Sequence, residues 1–438
     1  MLAVLANRIY RHLFLAQVIA LVGTGLATVA LGLLAYDIAG ADAGAVLGTA
    51  LAIKMVAYIG IAPLVGAYSD RLPRKKLLVA MDMVRAGVAL VLPFVDAVWQ
   101  VYLLIFLLQS ASAAFTPTFQ ATIPEILPDE EDYTNALSLS RLAYDLESLL
   151  SPVLAAALLA VISFHWLFAG TSIGFAISAL LVVTSTLPHR QAASKVIENV
   201  WRKTTRGARI YLKTPRLVGL LAVTLAAAAG SAMVIVNTVV IVKGMGGSEG
   251  DVALALAAYG GGSMLAALLL PRMLRFVSDR TVMLAGSAML AIALFALGIL
   301  ALGWSVLVAG WLILGAAYAL CVTPGGRLLR RSSAEPDRPA LFAAQFALSH
   351  VCWLVAYPVA GQIGASFGMK NAFLALAGLA AVGVIMALWR WPGHDPAQVA
   401  HEHPELPADH PHLAEHGTAE HKHAYVIDEI HSHWPGRV

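Results

Sequence analysis

Twelve apolar stretches follow one another through the first 391 residues of this 438-residue chain. A helix needs about 20 largely apolar residues to cross the hydrocarbon core of a bilayer. Stretches that meet this length lie near residues 12–36, 45–68, 77–96, 99–121, 134–163, 166–187, 216–242, 251–274, 281–303, 305–326, 339–366 and 371–391. The expected fold is therefore an all-α membrane protein with twelve transmembrane helices. Composition agrees: only 13% of residues are charged, where a soluble chain carries about 25%. Leu13 to Leu34 is long enough to span, and no small-residue cleavage site follows a short apolar core, so it reads as the first membrane helix. The formal charge of +3 is too small to point to nucleic acid, and the two cysteines, Cys321 and Cys352, fall in apolar spans and imply no disulfide framework.

The longest internal connection divides the spans six and six. It is rich in cations, with Arg190, Lys195, Arg202, Lys203, Arg206, Arg209 and Lys213. Four segments result: an N-terminal half over 1–188, a basic cytoplasmic linker over 189–215, a C-terminal half over 216–391 and a tail over 392–438. Orientation follows from the Lys/Arg bias of the loops. One side gathers Arg8, Arg11, Arg71, Arg74, Lys75, Lys76, the linker, Arg272, Arg275, Arg280, Arg327, Arg330, Arg331, Arg338 and Arg390, whereas the other holds Lys243 and Lys370. Both termini are expected on the cytoplasmic side.

The tail has its own chemistry. Ten of the fourteen histidines lie in residues 394–438: His394, His401, His403, His410, His412, His416, His421, His423, His431 and His433. Imidazole is a common ligand of nickel, zinc, cobalt and copper, and His-rich tracts read as metal-binding. Pro392, Pro396, Pro404, Pro407 and Pro411 break any long helix here. The His-x-His pairs can pinch an ion in extended or turn geometry, where residues i and i+2 share a side. Val426, Ile427, Ile430 and Trp434 have the spacing of a short amphipathic helix, on which Asp428 would neighbour His431. Composition otherwise suggests a disordered extension.

Between the second and third spans stands Gly66-Ala67-Tyr68-Ser69-Asp70-Arg71-Leu72-Pro73-Arg74-Lys75-Lys76. It resembles the G-x-x-x-D-R-x-x-R-[KR] signature of the major facilitator superfamily. The resemblance implies two six-helix halves that rock about a central site. It gives Gly66, Asp70, Arg71, Arg74 and Lys75 the role of a cytoplasmic gating latch; a plain positive-inside loop is the alternative. A weaker counterpart, Ser278-Asp279-Arg280, lacks the glycine. A second resemblance covers Phe115-Thr116-Pro117-Thr118-Phe119-Gln120-Ala121-Thr122-Ile123-Pro124-Glu125-Ile126-Leu127-Pro128 and continues through Asn135-Ala136-Leu137-Ser138 to Ser151-Pro152. This is similar to the proton-driven efflux branch that includes macrolide, siderophore and nickel-resistance exporters, and implies a bacterial inner-membrane location. With the His-rich tail, nickel-resistance exporters are the nearest in kind.

Ionisable groups inside spans are candidate functional groups because a charge in lipid is costly. Lys54, Asp145, Glu147, His350 and Cys352 form the candidate transport site. Each has a structural alternative: Lys54 can snorkel or offset a carboxylate, Arg141 can pair with Asp145, His350 can be a packing residue and Cys352 a small buried hydrophobe. Asp82 and Arg85, at i,i+3, read as a structural pair. Carboxylate and imidazole ligands titrate, so metal entry displaces protons. The function this suggests is export of a divalent transition metal by proton antiport, nickel first and cobalt or zinc next. The tail would capture or sense metal. A multidrug, macrolide or siderophore exporter is the alternative, and a membrane sensor a third reading. Neither a Walker motif nor a nucleophile–base or closed zinc signature argues for an enzyme. No resident cofactor is expected. The expected partners are the bilayer, divalent metal ions and protons, with no nucleic acid, and the chain is expected to be a monomer.

Overall fold

A computed structural model describes residues 2–68, 73–185, 200–333, 337–393, 395, 398–403, 412–413, 421–423, 425–428, 430–431 and 433–434. The N-terminal half contains α1 (Arg8–Ala39), α2 (Ala43–Tyr68), α3 (Arg74–Val91), α4 (Val98–Ile126), α5 (Glu130–Leu159) and α6 (Phe164–Thr184). The C-terminal half contains α8 (Pro215–Gly244), α9 (Glu249–Met273), α10 (Asp279–Ile299), α11 (Trp304–Val322), α13 (Arg338–Phe367) and α14 (Met369–Arg390). These are the twelve expected membrane helices. Two further helices, α7 (Val200–Lys213) and α12 (Gly325–Arg331), lie in the connections. Among the described residues ten stretches can cross a membrane by length and composition; the first, Arg8–Ala62, runs through α1 and into α2, and the charge-rich α5 is not among the ten.

Local chemistry sets the ends. The Asn7 side chain accepts from the Ile9 and Tyr10 amides at 3.0 and 3.1 Å and caps α1. Ser248 and Asp251 cap α9 reciprocally. The α13–α14 turn is made at Gly368, whose φ of +85° suits a residue without a Cβ. Inside the halves, small residues let helices approach closely, as expected where lipid supplies no hydrophobic drive between helices. A Cβ on Gly262 would lie 1.9 Å from the Leu312 carbonyl oxygen, and one on Gly315 1.9 Å from that of Tyr259, so α9 and α11 pack backbone to backbone. Several polar groups in the bundle find partners across helices. Asp82 pairs with Arg85, as the i,i+3 spacing suggests, and accepts from Ser178 on α6 at 2.8 Å. The Arg85 guanidinium lies 4.2 Å from the Phe115 ring and 4.5 Å from Phe175, which ties α3 to α4 and α6.

The halves meet through α2 against α13 and α5 against α9. At the end remote from the termini, α2 and α13 touch through glycines. A Cβ on Gly361 would lie 2.2 Å from the Gly44 carbonyl oxygen, and one on Gly48 2.6 Å from that of Tyr357. Gln362 donates to Thr49 at 3.2 Å across the same seam. Buried Asn237 on α8 donates to the Ala360 carbonyl at 3.0 Å and backs this closure. The bundle is therefore shut at that end.

Two regions differ from the sequence reading. The basic linker ends in an amphipathic helix, α7, which docks on the start of α13. Arg206 holds Asp337 with two nitrogens, at 2.7 and 3.1 Å, and Gly207 lies against the Ala340 carbonyl. The described tail residues contain two short strands, β1 (Val399–His401) and β2 (His421–His423), paired antiparallel with His401 opposite His421. The described residues around Ile427 do not form the expected amphipathic helix. Tyr425, Val426 and Ile427 are irregular, and Asp428 instead accepts from the Ile430 and His431 amides at 2.9 and 2.6 Å, closing a turn. A carboxylate that captures these N–H groups competes with helix formation.

Candidate functional site

Two places gather the residues the sequence singles out: the middle of the bundle and the tail. In the bundle, Lys54 on α2 borders a narrow cavity of about 20 Å³ in the N-terminal half, lined by Thr24 and Thr28 of α1 and Gln109 and Ser112 of α4. Its ammonium is 6.0 Å from the Tyr58 ring, one turn on. Tyr58 reaches across to the other half and stacks on His350 of α13 at 5.2 Å, with 11° between the rings. Phe346 closes the group, 4.1 Å from His350 and 5.8 Å from Tyr58. The His350 Nδ1 donates to the Phe346 carbonyl at 2.6 Å, which leaves its Nε2 as the ligating or proton-accepting atom.

Glu147 projects from α5 where α1 comes closest. A Cβ on Gly25 would lie 2.6 Å from the Glu147 carboxylate and 2.0 Å from the Ser151 hydroxyl. Ser151 donates to that carboxylate at 3.5 Å. Lys54 feels the charge of Glu147, and His350 that of Lys54. The structure thus brings Lys54, Glu147 and His350 into one electrostatic group spanning both halves. Cys352 stands apart. Two residues beyond His350 on a helix is nearly the opposite face, and its thiol faces the Leu221 carbonyl of α8 at 3.9 Å. The Asp145 side chain lies outside the described residues.

Of the latch, Gly66 belongs to the last turns of α2, Arg74 begins α3, and Lys75 donates to the Ser185 carbonyl at 2.8 Å, joining α3 to the end of α6. Asp70, Arg71 and the surroundings of Gly66 lie outside the described residues.

In the tail, His401, His403, His412, His421 and His423 offer ligand atoms that all lie within 4.8 Å of one another. His431 joins them, its Nε2 3.2 Å from that of His401 and from that of His403. Antiparallel pairing of β1 and β2 is what unites two His-x-His segments about twenty residues apart in sequence. Burial and the neighbouring rings push the His401 pKa down to about 4, keeping it in the neutral form that ligates metal. His433 is exposed and outside the cluster, contributing its carbonyl to the Tyr425 hydroxyl at 2.6 Å. His410 and His416 lie outside the described residues.

The cluster is fixed to the C-terminal half. Arg331 of α12 donates to the Asp395 carbonyl at 2.6 Å and to its carboxylate at 3.2 Å. Arg216, at the start of α8, lies 3.7 Å from the same carboxylate, and Trp391 donates to it at 3.3 Å. Arg216 also stacks on Trp434 at 4.6 Å and donates to the Tyr425 carbonyl at 3.4 Å. Tyr425 in turn packs edge-on against His401 and His431 at 4.8 and 4.6 Å. Sequence reasoning passed over Asp395, Arg216 and Tyr425 as site residues and gave Trp434 to an amphipathic helix. The available signal was a buried-type aromatic pair and a lone acid set among histidines and prolines.

Comparison with known proteins agrees with this architecture. The family model described as the Major Facilitator Superfamily matches residues 13–242 and 219–425. Macrolide efflux protein A of Streptococcus pyogenes is 27% identical over 152 residues, 32% of this chain and 37% of that protein. The match thus spans about a third of the length of such curated relatives. Among solved structures, a bacterial homologue of the human lysosomal transporter Spinster, inward-facing and occupied, superposes with a TM-score of 0.69 at 12% identity, over 89% of this chain and 99% of that one. A D-xylose–proton symporter gives 0.67 at 17% identity, over 89% and 99%. At these identities the structures speak for the fold alone. With the family model covering both six-helix halves, the chain belongs to the major facilitator superfamily and is an integral membrane protein.

Proposed function

We propose that this protein exports a divalent transition-metal ion, nickel foremost, in exchange for protons, and that its tail captures metal on the cytoplasmic side of a bacterial inner membrane. The observation that carries the reading is the convergence of six tail histidines on one centre docked against the C-terminal half. Glu147 and His350 supply a carboxylate and an imidazole from opposite halves, two ligands that bind a dication weakly enough for release and that take up protons when it leaves. Lys54 neutralises Glu147 when no metal is present. A test is flux in proteoliposomes over a panel of divalent ions, with and without a pH gradient. Nickel efflux that collapses with the gradient supports the reading; ion-independent flux of macrolides alone supports the alternative, which the 27% identity to a macrolide efflux protein favours.

Orientation has its own test. Cysteines placed at Asp42 or Gly247 should react with an impermeant reagent from outside intact cells, and one at Ser194 only after permeabilisation. The reverse pattern rejects the cytoplasmic placement of the tail.

The latch is tested separately. An Asp70→Ala, Arg71→Ala double variant should reach the membrane in normal amount yet lose most turnover. Normal transport by this variant leaves the loop a positive-inside role only.

A further inference from the structure

We propose that the tail cluster is a single six-coordinate site in which His401, His403, His412, His421, His423 and His431 ligate one divalent first-row ion of the nickel or cobalt type. This rests on reading the tail as metal-binding and adds number, geometry and selectivity. Pinching of separate ions by separate His-x-His pairs is the arrangement it replaces.

The ring positions carry the argument. Each of the six rings faces four of the other five at centroid distances of 4.5–5.4 Å. The ring that each does not face in this range is its opposite number: His401 against His412, at 6.5 Å, His403 against His423, and His421 against His431. Six points with this neighbour pattern are the corners of an octahedron. A tetrahedral site cannot generate it, because four corners are all mutual neighbours and two imidazoles would be left over.

Distances are consistent. With a metal–nitrogen bond of about 2.1 Å, octahedral edges are about 3.0 Å and diagonals about 4.2 Å. The Nε2 atoms of His401 and His431, of His403 and His431, and of His412 and His421 are each 3.2 Å apart. The widest separation within the five-histidine group is 4.8 Å, so a contraction of about half an ångström closes the shell.

The ring nitrogens then leave room for a shared cation. A carbonyl only accepts, so the His401 ring places its proton on Nδ1, facing the Val399 oxygen at 3.0 Å. A carboxylate also only accepts, so His431 places its proton on Nδ1, facing Asp428 at 3.0 Å. With both rings neutral, their Nε2 lone pairs face each other across 3.2 Å. A cation between them, a metal ion or a proton carried by one ring, makes that contact favourable. The Val399 carbonyl and the Asp428 carboxylate are the outer partners that orient such ligands.

Geometry selects the ion. Zinc is satisfied by four ligands, and copper(II) prefers a square or tetragonal arrangement with elongated axial bonds. Six equivalent imidazoles suit nickel(II) and cobalt(II), which accept nitrogen ligands in regular six-coordination.

The test uses the purified full chain carrying Glu147→Gln and His350→Ala, so that only the tail can bind. Cobalt(II) titration should saturate at one ion per chain in the cluster and give the weak visible bands of a six-coordinate ion. X-ray absorption on the nickel(II) form should show six nitrogens near one distance. Asp428→Asn should weaken nickel(II) binding by about 10- to 100-fold while keeping the six-coordinate spectrum. His403→Ala with His412→Ala should abolish that spectrum. Intense tetrahedral cobalt bands, two or more ions per cluster, or an unchanged spectrum in the His403→Ala, His412→Ala variant overturn the assignment. Transport is read separately on the unaltered chain: six-coordinate metal without metal flux ends the exporter reading and leaves this site standing, and flux with a four-coordinate tail does the opposite.

Discussion

Glu147→Gln and His350→Ala are each expected to reduce metal efflux to the level of protein-free vesicles while leaving expression and tail metal binding intact. The two side chains come from different halves, and the Tyr58–His350 stack joins those halves in mid-bundle. Glutamine keeps the shape of Glu147 and its bond to Ser151 but removes the charge that attracts a dication and the site that takes up a proton. Alanine at position 350 removes the Nε2 that the Phe346 carbonyl leaves available. Charge at this depth costs about 2.5–3.5 kcal/mol even by the lenient insertion scales, so the protein retains it only where it is balanced. In the proposed mechanism Lys54 does the balancing. Its replacement by alanine should shift the pH dependence of flux rather than abolish metal binding. Counterflow of radioactive nickel in vesicles measures all three. Wild-type flux from both Glu147→Gln and His350→Ala would place the site elsewhere and strengthen the macrolide-type reading.

Gly361→Leu should cripple transport by a different route. In the closed seam a Cβ at this position would lie 2.2 Å from the Gly44 carbonyl oxygen, a backbone atom that cannot swing aside. Overpacking costs about 1–3 kcal/mol, here only in the state that is shut at the end remote from the termini. A bias of that size changes the ratio of the two access states by about 5- to 150-fold. Flux should fall accordingly, and a cysteine at Thr49 should label faster from that end. Leucine at Gly378, which has open space around it, is the control. Unchanged labelling and flux in Gly361→Leu would mean that the seam does not set the conformational balance.

Much of this fold was legible because lipid imposes a strong rule on sequence. Twelve apolar runs became twelve helices with ends within a few residues of expectation, and α5 was recognised despite Asp145 and Glu147. Local pairs were legible too: Asp82 and Arg85 are one helical turn apart. Contacts across long separations were not. Nothing at Gly44 announces that Gly361 will meet it, and Cys352 looked like a neighbour of His350 in sequence although the helix turns it toward α8. The tail misled in a more specific way. Its histidines signalled metal, but strand pairing of His401 with His421 is a tertiary event, and the hydrogen bonds of Asp428 override the apolar spacing that suggested a helix. The basic linker hid α7 because its cations dominated the composition while Ile210 and Tyr211 supplied the buried face.

In the proposed exporter the Asp395 anchor governs how ions reach the membrane domain. A free chain of 45 residues explores a coil roughly 35–40 Å across, and its cargo is diluted over that volume. Arg216, Arg331 and Trp391 all belong to the C-terminal half, so the histidine cage is carried by one rocker of the transporter as a passenger. In the proposed exporter its distance to α8 would stay constant while its distance to the N-terminal half would change with every stroke. The supply of ions would then be timed by the machine's own motion, not by the diffusion of a tether.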